Sequence, residues 1–262
     1  MRKIIRRSKL ASWSRRLGSI ALPILVLSIF MHRSSSIITE TFQLILSISF
    51  IIAFLALISG TIALIQLWFS GDKGWSRALM GVFLALFCLS PLVFASIEAQ
   101  KYPNISDIST NPELNLTLIS NIQRPNAQKI EQQELLKIFP NLIARNYQLD
   151  AKQLYDLVKG QISKNRWKII KTQNINTSSK QINAIEMTLL GWRDEIVILI
   201  LDREHGSTIA MRSASKIAKN DLGKNGKRIE AFLLNLDEAV TKYDSNMVSS
   251  ELTPTPATKT KN

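Results

Sequence analysis

Apolar positions crowd into the first third of the chain as three runs, 17–31, 41–71 and 78–97. Between residues 17 and 97 the only charged side chains are Arg33, Glu40, Asp72, Lys73 and Arg77. A surface helix of a water-soluble fold needs a charged face, so the pattern predicts membrane-spanning helices. The second run, 31 residues without a charge, crosses about 30 Å of hydrocarbon with room to tilt. The third has twenty residues and contains Pro91, which spanning helices tolerate. The first has fifteen, short of the roughly 20 that a span wants. Ser12, Trp13 and Ser14 extend it into the interface, where Trp is favoured and Arg can snorkel. A secretory signal is the competing reading of this run, but only His32 and Arg33 follow it, with no small-residue cleavage site. Three spans are expected.

Beyond residue 97 the pattern becomes that of a soluble fold. Residues 98–126 hold Pro103, Pro112 and Pro125 with little periodicity and read as an extended linker. A helix is predicted over 129–139, carried by Ile130, Leu135, Leu136 and Phe139 and ended by Pro140. A short strand at 142–149 leads to Asp150 and Gln153, a capping box for a helix with Leu154, Leu157, Val158 and Ile162 on one stripe. Strands follow at 166–172, 182–190, 195–201 and 208–215. The run EIVILIL is apolar on both faces and is expected at the centre of the sheet. Gly206 supplies the positive φ of a tight hairpin. A last helix over 227–243 places Ile229, Phe232, Leu233, Leu236, Val240 and Tyr243 on one stripe. The fold class expected is three N-terminal transmembrane α-helices followed by an α+β domain, with a mostly antiparallel sheet and helices packed on one face. The organisation reads as a basic leader at 1–16, an anchor at 17–97, the linker at 98–126, the soluble domain at 127–243 and a disordered tail at 244–262.

Charge adds an orientation. The net charge is +13, and residues 1–97 carry 10 Lys/Arg against 2 acids, so most of the excess lies on the anchor. The leader 1–16 has seven basic residues, the segment after the second run has Lys73 and Arg77, and the loop after the first run has only Arg33. Positive-inside places the N-terminus in the cytoplasm and the C-terminal domain outside, in a bacterial periplasm. If the first run does not span, that side flips. The basic balance thus reports topology, and nucleic acid is not expected as a partner. Cys88 alone builds neither a disulfide nor a thiolate metal site, and His32 and His205 have no ligand spacing. No cofactor is expected.

Residues 211–232 concentrate the candidate chemistry: Arg212, Ser213, Ser215, Asp221, Asn225 and Arg228 lie between the last strand and the last helix. As a ligand site, the two arginines would hold an anion, with Ser213, Ser215 and Asn225 as hydrogen-bond partners beside a helix N-terminus. As scaffold, Asn225 would cap the helix, Gly223 would take the left-handed conformation, and Arg228 would pair with Asp221 or Asp194. The density of caps and turn residues favours the scaffold. A serine nucleophile would need a positioned base, and His205 lies in a hairpin turn. Asp194 and Glu195 are adjacent on a strand and point to opposite faces, so they cannot share a substrate bond.

The stretch RSASK-x4-DLGKNGKRIEAF resembles the signature of the family called domain of unknown function 1499. Gly191-Trp192-Arg193-Asp194-Glu195 is similar to the family's paired acids after a Gly-aromatic step, and Asp107-Ile108-Ser109-Thr110 to the box of its three-span proteobacterial members. Lys216, Glu195, Leu199 and Asn111 depart from the residues commoner there. The resemblance implies a multi-pass protein of a bacterial inner membrane, in contact with the lipid bilayer, and no activity. The expected function is presentation of the α+β domain to an unknown protein or envelope partner. The alternative is an anion or small-ligand binding domain, hydrolytic or not, using the Arg212–Arg228 loop.

Overall fold

The computed structural model describes residues 6–114, 116–120, 130–217 and 220–251. It divides into two compact units, one holding the chain up to Lys101 together with Met187–Trp192, the other Tyr102–Glu186 and the chain from Arg193 onward.

The first unit is built on three helices, α1 (Lys9–Arg33), α2 (Thr39–Ser70) and α3 (Trp75–Lys101), each long and apolar enough to cross a membrane. The first is longer than its fifteen-residue apolar run. Ser8 caps it by accepting the Ala11 N–H, and the helix continues through Trp13 and Arg15 to Arg33, 25 residues in all. About 1.5 Å per residue then gives ample reach. Its buried positions are Ala11, Ser14, Gly18, Ala21, Leu25, Ser28 and His32, a three-and-four spacing of mostly small side chains. The second helix repeats it with Ser49, Ala53, Ala56, Gly60, Ala63 and Leu67, and the third with Ala78, Gly81, Ala85 and Cys88. Lipid tails are as apolar as leucine, so helices in a bilayer associate through close backbone approach rather than hydrophobic burial. The Ser14 hydroxyl accordingly donates across the seam to the Ala56 carbonyl at 2.8 Å. Gln43 and Gln66 lie on exposed positions near the two ends of α2. At one end of the bundle the Ser8 N–H donates to the Lys73 carbonyl and the Lys73 N–H to the Arg6 carbonyl. The basic leader and the basic α2–α3 loop therefore meet.

The second unit contains β1 (Asp107–Ser109), α4 (Gln132–Ile138), β2 (Arg145–Tyr147), α5 (Ala151–Lys164), β3 (Lys168–Asn174), β4 (Lys180–Met187), β5 (Arg193–Arg203), β6 (Gly206–Ser215) and α6 (Lys224–Glu251). The sheet order is β1-β6-β5-β4-β3, with β2 also paired to β6. Strands β1, β2 and β5 run antiparallel to β6, and β3 antiparallel to β4. The EIVILIL strand is central, as its two apolar faces require. Ile196, Ile198 and Ile200 join Ile209 and Met211 in the main core, against Leu154 and Val158 of α5 and Phe232 and Leu236 of α6. Val197, Leu199 and Ala210 face the other way, under Leu116. The helices thus cover one face, and Leu114, Leu116 and Leu118 contribute to the other.

Several elements differ from the expected spans. The linker contains β1, whose pairing with β6 supplies the order that its own proline-rich sequence lacks; residues 121–126 fall outside the described residues. The helix expected over 129–139 is Gln132–Ile138, and Lys129 is likewise outside. The strand over 142–149 shortens to Arg145–Tyr147. Strand β4 stops at Met187 rather than residue 190, because Thr188 and Gly191 close a turn through the Gly191 N–H to the Thr188 carbonyl at 3.0 Å. The last helix runs past Tyr243 to Glu251, through residues 244–251 of the expected tail. That stretch is polar but holds neither Gly nor Pro, the two strongest helix breakers. Residues 252–262 lie outside the described residues.

Candidate functional site

Alternation along β6 splits the six candidate residues between the two faces of the sheet. Ser213 and Ser215 share the helix side with Met211, while Arg212 stands on the opposite side with Ala210. The same rule divides β5, where Asp194 faces α6 and Glu195 faces away. Arg212 and Arg228 therefore do not converge on one ligand.

On the helix side the centre is Arg228. Its Nη2 donates to Asp194 Oδ2 at 2.6 Å, its Nε to Glu186, and its Nη1 to the Ser213 hydroxyl at 2.8 Å and to the Asn225 amide oxygen. The guanidinium side chain is 8% exposed and Asp194 5%. Asn225, fully buried, also accepts from the Ser213 hydroxyl at 2.8 Å and donates to the Ser106 carbonyl and the Ser215 hydroxyl. It spends its amide tying β6 to the chain before β1, and does not cap the helix. The cap comes from Asp221, whose carboxylate accepts the N–H groups of Gly223 and Asn225 at 2.9 and 2.8 Å. Burial pushes the Asp221 carboxyl above its ordinary range, against the pull of those two N–H groups. Arg228 takes Asp194 and Glu186 as its ion-pair partners instead. Gly223 has φ 74°, and a Cβ there would lie 2.5 Å from the ring of Tyr102. That ring stacks on Phe139 at 5.6 Å and lies beneath the Lys227 ammonium.

On the other face Arg212 forks onto Asp107, with Nε to Oδ1 at 2.9 Å and Nη2 to Oδ2 at 2.8 Å, and its Nη1 donates to the Leu116 carbonyl. The Asp107 hydrogen bonds raise the arginine's pKa further. Glu195, 1% exposed, accepts from the Ile119 and Ser120 N–H groups, the Ser120 hydroxyl and the Asn183 amide. Burial pushes its carboxyl up, but those donors outweigh it and hold the group below its ordinary value. Gln181 and Asn183 both donate to the Thr117 carbonyl, so the same side chains fasten segment 117–120.

The two stretches that resemble family signatures are thus adjacent strands. Asp107, Ile108 and Ser109 stand opposite Ala214, Ser213 and Arg212, and the Thr110 hydroxyl accepts the Met211 N–H at 2.9 Å. Asp107, Ser106, Glu186, Gln181 and Asn183 are structural partners that the run 211–232 does not disclose. The Asp-Ile-Ser-Thr box carries a signal for the first. Nothing in the sequence singles out Glu186.

Chemically the arrangement binds itself. The Ser213 hydroxyl faces an amide oxygen and a guanidinium, neither of which can take its proton. His205 is exposed in the β5–β6 turn. Among the described residues no group of three or more His, Cys, Asp or Glu side chains is placed to hold a metal ion. An open polar concavity lies at the β3–β4 and β5–β6 turns between Asn176, Ser178, Asp202 and Glu204, and none of the six candidate residues lines it.

Among curated proteins and among solved structures, none matches the chain. A family model described as "Protein of unknown function (DUF1499)" matches residues 104–236, from just before β1 well into α6 and over half of the chain. With both signature strands inside that match, the chain belongs to the DUF1499 family.

Proposed function

We propose that this protein is a bacterial inner-membrane protein that presents its α+β domain outside the cytoplasm to a protein or envelope partner, without catalysing a reaction. The observation that carries the reading is the mutual engagement of the signature side chains. Arg228, Asn225, Ser213 and Asp194 are buried against one another, and Arg212 is paired with a half-buried Asp107, so their polar groups build the domain and leave its surface to act. The meeting of the basic leader with the Lys73 loop supports the orientation. Positive-inside puts that end of the bundle in the cytoplasm, and α3 leads away from it.

Paired reporter fusions at residue 245 test the topology: alkaline phosphatase is expected to be active there and a cytoplasmic fluorescent reporter dark, and the reverse pattern overturns the localisation. The rival reading, an anion site on the Arg212–Arg228 loop, is tested by titrating inorganic phosphate onto the full chain in micelles. No saturable binding is expected. Saturable binding lost in both Arg212→Met and Arg228→Met, with each variant still folded, would replace the scaffold with a ligand site.

A further inference from the structure

The turn between β4 and β5 differs from the other hairpin turns of the sheet. Those at 175–179 and 204–205 are mainly polar, whereas this one reads Thr188-Leu189-Leu190-Gly191-Trp192. It clusters with the three helices rather than with the rest of the sheet. His32 and Arg33, at the end of α1, hold its backbone. Arg33 Nη1 donates to the carbonyls of Thr188 and Leu189, each at 2.9 Å, and His32 Nδ1 lies 2.7 Å from the Leu190 carbonyl. A carbonyl only accepts, so His32 carries a proton on Nδ1, and its Nε2 lies 3.2 Å from the Thr39 hydroxyl. The His32 ring stacks on Phe42 at 4.3 Å, and Trp192 meets Phe42 edge-on. Gly191, at φ 87°, lets the two backbones approach: a Cβ there would be 3.0 Å from the Arg33 nitrogen.

Two consequences follow from this geometry. The first concerns depth. Between Arg16 and Arg33 the first helix has sixteen residues without a formal charge, about 24 Å of rise against a hydrocarbon layer of about 30 Å. His32 and Arg33 therefore stand at the boundary between acyl chains and headgroups, and so do the carbonyls they hold. The second concerns solvation. Three successive carbonyls of the turn have side-chain donors, and the N–H groups of Thr188, Gly191 and Trp192 bond within the turn. Partners of this kind let these backbone groups leave water, which entry into a bilayer demands. Leu189, at the tip, is 82% exposed, above Phe30 of α1 at 68%.

We propose that the β4–β5 turn is a lipid-inserting element, with Leu189 in the acyl-chain region of the leaflet where α1 ends. The proposal rests on the reading of α1 as a membrane span, and the test separates the two. Single cysteines at positions 30, 40 and 189, in a Cys88→Ala background of the full chain, carry an environment-sensitive fluorophore in phosphatidylcholine–phosphatidylglycerol vesicles. Doxyl-labelled lipid is expected to quench position 189 as it quenches position 30, while iodide quenches position 40 and spares 189. Iodide quenching at 189, with position 30 still quenched by lipid, overturns the insertion and leaves the span standing. Iodide quenching at position 30 overturns the span and the insertion together. Leu189 is mostly exposed and packs little against the protein, so its replacement leaves the fold to be compared.

Discussion

An arginine–carboxylate cluster stands on each face of the central sheet, centred on Arg228 on one side and Arg212 on the other, and the two are built to different standards. Arg228 reaches from α6 down to Asp194 and Glu186 of the sheet, at side-chain exposures of 8%, 5% and 32%. Arg212 lies on the face opposite the helices with Asp107, at 31% and 20%. Both pair a guanidinium with carboxylate oxygens, so partner chemistry does not distinguish them. Solvent does. A buried ion pair has surrendered hydration that its partners must replace, and removing one member strands the other. A partly exposed pair falls back on water. The helix side is therefore a lock that fails abruptly, and the opposite face a latch that loosens.

Arg228→Met is the strongest probe of that difference. It leaves Asp194 buried without its guanidinium and is expected to cost about 3–5 kcal/mol, read by urea unfolding of the full chain in micelles with near-ultraviolet circular dichroism. Replacing Asp194 and Glu186 by their amides in the same chain should recover a good part of that loss. If Arg228→Met costs no more than Arg212→Met, burial does not separate the two sites. Next comes Asn225→Ala. It removes one hydrogen bond each from the Ser106 carbonyl and the Ser213 and Ser215 hydroxyls in the core, and takes an acceptor from Arg228, at about 1–3 kcal/mol, and the same unfolding curve checks it. Arg212→Met should cost about 1–2 kcal/mol. Its sharper readout is hydrogen exchange, where the β1 amides should lose protection while those of β5 keep theirs.

The smallest expected effect is one of pH. Glu195 is held below its ordinary value of 4.5, so its ionised form favours the fold. That contribution is complete above about 4.5 and is lost as pH falls through the lower folded value. Glu195→Gln should flatten the acid side of the stability curve. Asp221 has the opposite sign. Its carboxyl is raised by burial, so its contribution is largest below its ordinary value of 3.8 and declines as pH rises through the folded one. Melting temperatures from pH 3 to 6 for Glu195→Gln and Asp221→Asn check both slopes.

What could be read from the sequence was what the chain settles locally. The Asp150–Gln153 capping box forms as expected because cap and helix lie within one turn. The meander from β3 to β6 follows from short links and one doubly apolar run. Strand β1 was illegible for the opposite reason. Three residues beside several prolines have no periodicity, and order comes from a partner about a hundred residues away. The candidate site was misleading where linear closeness stood in for spatial closeness. Arg212 is next to Ser213 in the chain and on the other side of the sheet from it. The alternation that separates Asp194 from Glu195 separates these two as well, so this part was present in the sequence. Glu186 was not, since only folding brings β4 beneath the helix carrying Arg228.

Strand β6 pairs with β1, β2 and β5, and it is the last strand to be made. A ribosome adding about 5–20 residues per second needs roughly 5–20 s to travel from Asp107 to Ala214. Through that interval the Asp-Ile-Ser-Thr segment exists without the strand that orders it, and Asp107 without its arginine. The sheet cannot close piece by piece from its N-terminal side; the C-terminal quarter of the chain completes it. A nascent chain released before residue 215 would lack the strand on which three others pair, and truncation there should yield a chain sensitive to proteases rather than a smaller domain.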